Sequence, residues 1–198
     1  MIRTTWGEVR ELIGSIIVVS AVFTIAYAKG MGFEALSANL PEIAAISVLS
    51  LICAGTGFLF HEIMHKIVAQ ARGFEAEYHN NHSFTPISIL AALAGWILLA
   101  PGAVYISGMR PGAKNASGLI ALAGPATNLA LALIFHILTL TQHPLLELVG
   151  GFGYNINIWL AAFNMVPAPG FDGQKVWAWS KTSYFAFVIP VAAAFFLL

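Results

Sequence analysis

Residues 43–71 read IAAISVLSLICAGTGFLFHEIMHKIVAQA. From Ile43 to Phe60 there are 18 residues without a charge, close to the roughly 20 that an α-helix needs to cross a bilayer. The helical pattern then continues to about Ala71 and carries His61, Glu62 and His65. From Phe60 to Ala71 is about 16 Å of helix at about 1.5 Å per residue, which sets this cluster below the membrane surface. Ionisable groups at that depth are costly and usually functional. Residues four apart share a helix face, so His61 and His65 can hold one zinc ion between them. Glu62 lies beside the pair, where it can take a proton from a water polarised by the metal. The bland alternative, a solvated helix end, conflicts with the depth.

Outward from this stretch the chain stays apolar. Of its 198 residues, 59% are hydrophobic and 9% are Asp, Glu, Lys or Arg, against roughly a quarter charged in an ordinary soluble domain. Nine basic and nine acidic side chains cancel. That excludes a soluble domain with a charged skin, a nucleic-acid binder with clustered cations, and a disordered chain. The single cysteine, Cys53, excludes an internal disulfide and a multi-thiolate metal site.

Four more apolar runs read as spans: Leu12–Ala28, Ser117–Thr141, Leu148–Phe171 and Thr182–Leu198, the last holding Pro190. The small-x-small triplet Ala26-Tyr27-Ala28 resembles a signal-peptide cleavage site, but the run is long and its head carries Glu8 and Glu11. Pro86–Ala100 is only 15 residues, a length that suits a re-entrant or interfacial segment. If it does not cross, Arg3, Arg10, Lys66, Arg72, Arg110, Lys114, Lys175 and Lys181 share one side and only Lys29 faces the other. The positive-inside rule then makes that side, with the N-terminus, cytoplasmic and puts Leu198 on the outer side. No repeat, low-complexity tract or linker divides the chain. The expected fold is an all-α membrane protein: one domain over 1–198, a polytopic bundle of five spans with the Pro86–Ala100 segment and a small β element. The β element comes from Gly73–Tyr78, which alternates apolar or small with charged side chains, and from the β-prone Ala103–Ile106.

A catalytic zinc site takes three protein ligands and keeps one position open. Asp172 is the only Asp in the chain and follows Pro167-Ala168-Pro169-Gly170, which must break a helix. It can serve as the third ligand or as the cap of a short helix, and the two roles can coexist.

These pieces resemble the site-2 proteases, intramembrane zinc metalloproteases. The matching residues are Gly55-Thr56-Gly57-Phe58 leading into His61-Glu62-Ile63-Met64-His65-Lys66, then Pro101-Gly102-Ala103-Val104-Tyr105-Ile106. Ala123-Gly124-Pro125-Ala126-Thr127-Asn128 fits the family's G-P-x-x-N element, and Asn164 to Gly173 fits its N-x-x-P-x-P-x-x-D-G element. Phe171 stands where the family usually has Leu. The family often carries a PDZ or CBS domain, absent from this sequence, so the compact archaeal branch is the nearer likeness. The resemblance implies one Zn²⁺ per chain bound by His61, His65 and Asp172, with Glu62 as general base. It also implies that Asn128 and Asn164 line the cleft and hold the substrate backbone or the oxyanion, although asparagines in spans also serve as interhelical hydrogen-bonding glue.

The expected activity is hydrolysis of peptide bonds within or near transmembrane segments of other membrane proteins, in a multi-pass protein of the cell membrane. Transmembrane substrates and lipid are the expected partners, and nucleic acid is not. An edge strand at Val104, Tyr105 and Ile106 would hold an unwound substrate extended by backbone pairing. A zinc transporter would also use intramembrane His and Asp, but it leaves Glu62 at general-base spacing unexplained. A non-catalytic helix-binding relative has no support in a complete chemical set. His79 and His82 fall in a polar loop without further ligands, His136 reads as a buried, hydrogen-bonded side chain, and Cys53 reads as packing.

Overall fold

The computed structural model describes residues 3–30, 39–110 and 112–197. Helix α1, Trp6–Ala28, starts at a capping box in which Thr5 accepts the Glu8 N–H and Glu8 reaches back to the Thr5 N–H. Helix α2, Leu40–Ser50, is capped by Asn39 and runs through a π-helical turn, Leu51–Gly55, into α3, Thr56–Ala71. The three form one rod of 32 residues, Leu40–Ala71. Among the described residues, α1, this rod and α5, Lys114–Thr139, are long and apolar enough to cross a membrane. Two other expected spans correspond to α6, Pro144–Asn164, and α8, Lys181–Leu197, of 21 and 17 residues. Leu198 lies outside the described residues.

Strand β1, Glu75–Asn80, pairs antiparallel with β2, Gly102–Ser107, from Glu75 opposite Ser107 to Asn80 opposite Gly102. The sheet expected from alternation in the first strand and β-propensity in the second is therefore present, with β1 starting and ending two residues later. His79 and Asn80 correct the polar-loop reading: backbone pairing with Ala103 and Gly102 carries the strand through them. Between the strands, the Pro86–Ala100 stretch is not one element. Helix α4, Phe84–Ala94, is 11 residues long and stops at Gly95, whose φ of 98° favours glycine. An irregular stretch, 96–101, then returns to β2. The ends of this excursion meet at the sheet, where the Asn81 N–H donates to the Pro101 carbonyl at 2.7 Å. At its far end Lys29 donates to the Leu93 carbonyl. Helix α4 spans about 16 Å, about half of a hydrocarbon core.

Helix α5 packs along α6, α3 and α7, Asp172–Trp179. Apolar burial gives helices little drive to associate in lipid, so close approach through small residues matters more. Gly150 and Gly153 on α6 supply it, because a Cβ on either would strike Phe135 of α5. A second contact zone joins α1, α2, the π turn and α6 through Phe23, Ile46, Cys53, Phe152 and Ile156, all buried, with Tyr27 stacked on Phe152. Cys53 is a packing residue there. His136 departs from expectation: it is half-buried and lies against the Tyr154 ring.

Candidate metal centre

Helix α3 places His61 and His65 one turn apart on the face turned to α5. Their Nε2 atoms lie 3.0 Å from each other. The Asp172 Oδ2 atom is 3.3 Å from His61 Nε2 and 3.0 Å from His65 Nε2. All three residues are buried. Zinc bonds of about 2.0–2.1 Å at tetrahedral angles set ligand atoms about 3.3 Å apart. Two imidazole nitrogens and one carboxylate oxygen at this spacing therefore fit a catalytic zinc set with one position left for water.

Both rings are held from behind. The His61 Nδ1–H donates to Asn128 Oδ1 at 2.6 Å, and the His65 Nδ1–H donates to the Ile120 carbonyl at 2.7 Å. With Nδ1 protonated, each Nε2 keeps its lone pair for a metal. Asn128 is fixed in turn, its Nδ2 donating to the Gly57 carbonyl and to Asn157 Oδ1, while Asn157 Nδ2 donates to the Gly153 carbonyl. This buried chain runs from α3 through α5 to α6.

Asp172 reaches the site because the chain breaks after α6. Pro167, Pro169 and Gly170, with φ of 93°, end the helix and turn it. Gly173 lets α7 close on the Met165 carbonyl, where a Cβ would collide. Asp172 thus sits in the first turn of α7, with Phe171 as N-cap. Burial pushes its carboxyl up, but His65 and His61 outweigh that and hold it below the ordinary carboxylate range. Its Oδ1 faces Lys175 Nζ at 3.7 Å.

Glu62 is buried next to this set, and its Oε2 has no hydrogen-bond partner among the described residues. It borders a cavity of about 770 Å³ that also reaches His61, His65, Asp172, Lys175 and Asn164. Val104, Tyr105 and Ile106 of β2 line the same space, with the Val104 backbone N–H directed at Glu62. The structure thus gathers the four chemical residues, Asn164 and the β2 edge around one space. Asn128, expected to line the cleft, lies behind His61 with its side chain fully buried, since its amide is committed to three neighbours. His79 stays apart, half-exposed near Glu11 and Glu77. Sequence reading passed over Asn157, Lys175 and Gly124, where a Cβ would strike both imidazoles. An asparagine seven residues before Asn164, and so on the same helix face, was the available sign for Asn157.

Asn128→Leu should lower zinc affinity by about 10–100-fold, the usual effect of removing the partner that orients a ligating histidine. Competition with a chelator measures it, and unchanged affinity would show that His61 needs no such partner.

No protein-family model and no solved structure matches the chain. A protein of Methanocaldococcus jannaschii, named "Putative zinc metalloprotease MJ0611", is 45% identical over 140 residues, which cover 68% of this chain and 72% of the relative. A set of zinc-competent donors beside a buried glutamate is what that name calls for. The chain belongs to the same zinc metalloprotease family as this archaeal protein.

Proposed function

We propose that the protein is an intramembrane endopeptidase of the site-2 protease type, cutting other membrane proteins within or near their transmembrane segments. One observation carries the reading: a two-His, one-Asp donor set with an adjoining glutamate lies on the apolar rod Leu40–Ala71 and opens on a cavity walled by a sheet edge. Zinc held by His61, His65 and Asp172 would polarise the scissile carbonyl and acidify a water. Glu62 accepts that water's proton and returns it to the leaving amine. Asn164, which borders the cavity, is the remaining candidate to hold the substrate backbone. Incubating the purified protein with a panel of transmembrane peptides, with and without a zinc chelator, tests this by product mass. Chelator-sensitive internal cleavage is expected. Zinc flux through liposomes without peptide products would favour a transporter.

In this reading α6 and α8 also cross, giving five spans in the cell membrane, one zinc per chain and a cytoplasmic active-site side. The charge split supports it, as does the return of the α4 excursion to its starting point. Parity supports it too: α5 and α6 supply two crossings between the His65 end of α3 and Asp172, which brings both to one side. Cysteine probes placed at His82 and Lys114 in intact cells should label from the same, cytoplasmic face. Labelling from opposite faces would overturn the topology.

A substrate helix hides its peptide bonds in its own hydrogen bonds, so it must be held extended before hydrolysis. The β2 edge offers that pairing. Val104→Pro removes a backbone donor from it and should slow cleavage of intact helices more than cleavage of an already extended peptide. Equal losses on both substrates would count against the edge.

A further inference from the structure

A two-stranded sheet has two free edges, and here they are treated differently. In an antiparallel ladder successive residues direct their N–H and C=O groups to opposite sides. On β1 the outward groups belong to Ala76, Tyr78 and Asn80. The Tyr78 N–H donates to Glu8 Oε1 at 3.1 Å, and the Asn80 N–H donates to Glu11 Oε2 at 2.8 Å. The Ala76 carbonyl accepts from Gln70 Nε2 at 3.2 Å. Side chains from α1 and α3 thus stand where a third strand would lie. One turn beyond Glu11, Ser15 Oγ accepts from the Tyr78 hydroxyl at 2.7 Å, so a single face of α1 follows the strand.

Glu8 has a second attachment. Its carboxylate pairs with Lys66 Nζ, and both side chains are buried. Lys66 also donates to Thr4 Oγ1 at 3.1 Å. A buried ion pair is a poor source of net stability and is better understood as fixing one arrangement among several. What it fixes here is distance, because Lys66 directly follows His65 on the metal-binding helix. The same register leaves the outward groups of β2 at Gly102, Val104 and Ile106, which border the cavity; there, among the described residues, the Val104 N–H meets only Glu62, the residue that faces the substrate.

We propose that Glu8, Glu11 and Gln70 form a side-chain cap on β1, tied to α3 through Lys66, that closes this edge to peptides and holds the β2 edge at a set distance from Glu62. The proposal rests on the reading that β2 takes an extended substrate segment. Natural sheets commonly blunt one edge with charged side chains; here the blunted edge gives the sheet a direction. Glu11 is a positioning residue in this scheme and touches no reacting atom.

Amide hydrogen exchange on the full chain in nanodiscs tests it. In the Glu62→Gln protein, a bound transmembrane peptide should add protection at Val104 and Ile106 and none at Tyr78 or Asn80. Added protection on β1 would overturn the cap. Glu11 is partly exposed, so its variants should fold. Glu11→Leu removes the acceptor and should raise both Asn80 exchange and the KM for a transmembrane peptide about tenfold, the scale of one charge-assisted hydrogen bond, with zinc affinity unchanged. Glu11→Gln keeps an oxygen for Asn80 and should stay close to the wild type. Wild-type exchange and KM in Glu11→Leu, or equal losses in both variants, would overturn the cap. If the peptide protects neither edge, the edge-strand reading fails, and Asn80 exchange in Glu11→Leu still decides the cap.

Discussion

Glu62→Gln should leave zinc bound and lower peptide cleavage by about 10²–10⁴, the usual contribution of a general base. The substitution keeps the volume of the side chain and its hydrogen-bonding reach, and it removes only the ability to take a proton. Zinc should stay because the proposed donors, His61, His65 and Asp172, have ligand atoms that lie together without help from Glu62. Asp172→Asn should behave differently, lowering zinc occupancy and activity together, since a neutral amide poorly replaces a charged ligand and no longer holds its place against the two imidazoles. Metal content by elemental analysis, measured beside single-turnover cleavage, separates the two. Full cleavage by zinc-loaded Glu62→Gln would refute this mechanism even with the family assignment intact.

Gly124→Ala should cost zinc affinity about 100-fold or more, beyond the range of an ordinary partner substitution around a metal site. A Cβ there would lie 2.6 Å from His61 Nε2 and closer still to His65 Nε2. Neither ring can yield easily, because each is pinned through Nδ1, one by Asn128 and the other by the Ile120 carbonyl. The substitution should not weaken the helix: alanine in a helix interior is favoured over glycine by about 1 kcal/mol. Overpacking offsets that gain by about 1–3 kcal/mol, so a loss of metal far larger than the accompanying fall in Tm is the expected signature. Gly151→Ala on α6 is the matched control, since a Cβ there meets nothing within 4 Å. Equal zinc affinity in both variants would mean that the contact between α5 and the two histidines is looser than the geometry indicates.

The residues legible in the amino-acid order were those whose relation is local. His61, Glu62 and His65 are linked by helical periodicity, which backbone hydrogen bonding imposes wherever the chain is helical, so their shared face followed from spacing. The apolar runs of α1, Leu40–Ala71 and α5 followed from length and composition, the first strand from alternation and the second from β-propensity. Asp172 lies 107 residues after His65 in the sequence, and nothing local separates a ligand from a cap there. Its place beside the histidines rested on resemblance; the tertiary structure sets its Oδ2 against both imidazoles. That meeting depends on α5 closing on α3 and on α7 folding back onto Met165, which Gly124 and Gly173 allow by having no Cβ. The same holds for Asn128, which one-dimensional reading could assign equally to substrate or to helix contact, and which packing commits to His61. It holds also for Pro86–Ala100, whose composition fits a dip or a crossing, and whose return is decided by the pairing of Asn80 with Gly102. Periodicity reports the neighbours a residue has along its own helix or strand; the neighbours it has across the fold are set by which surfaces can approach.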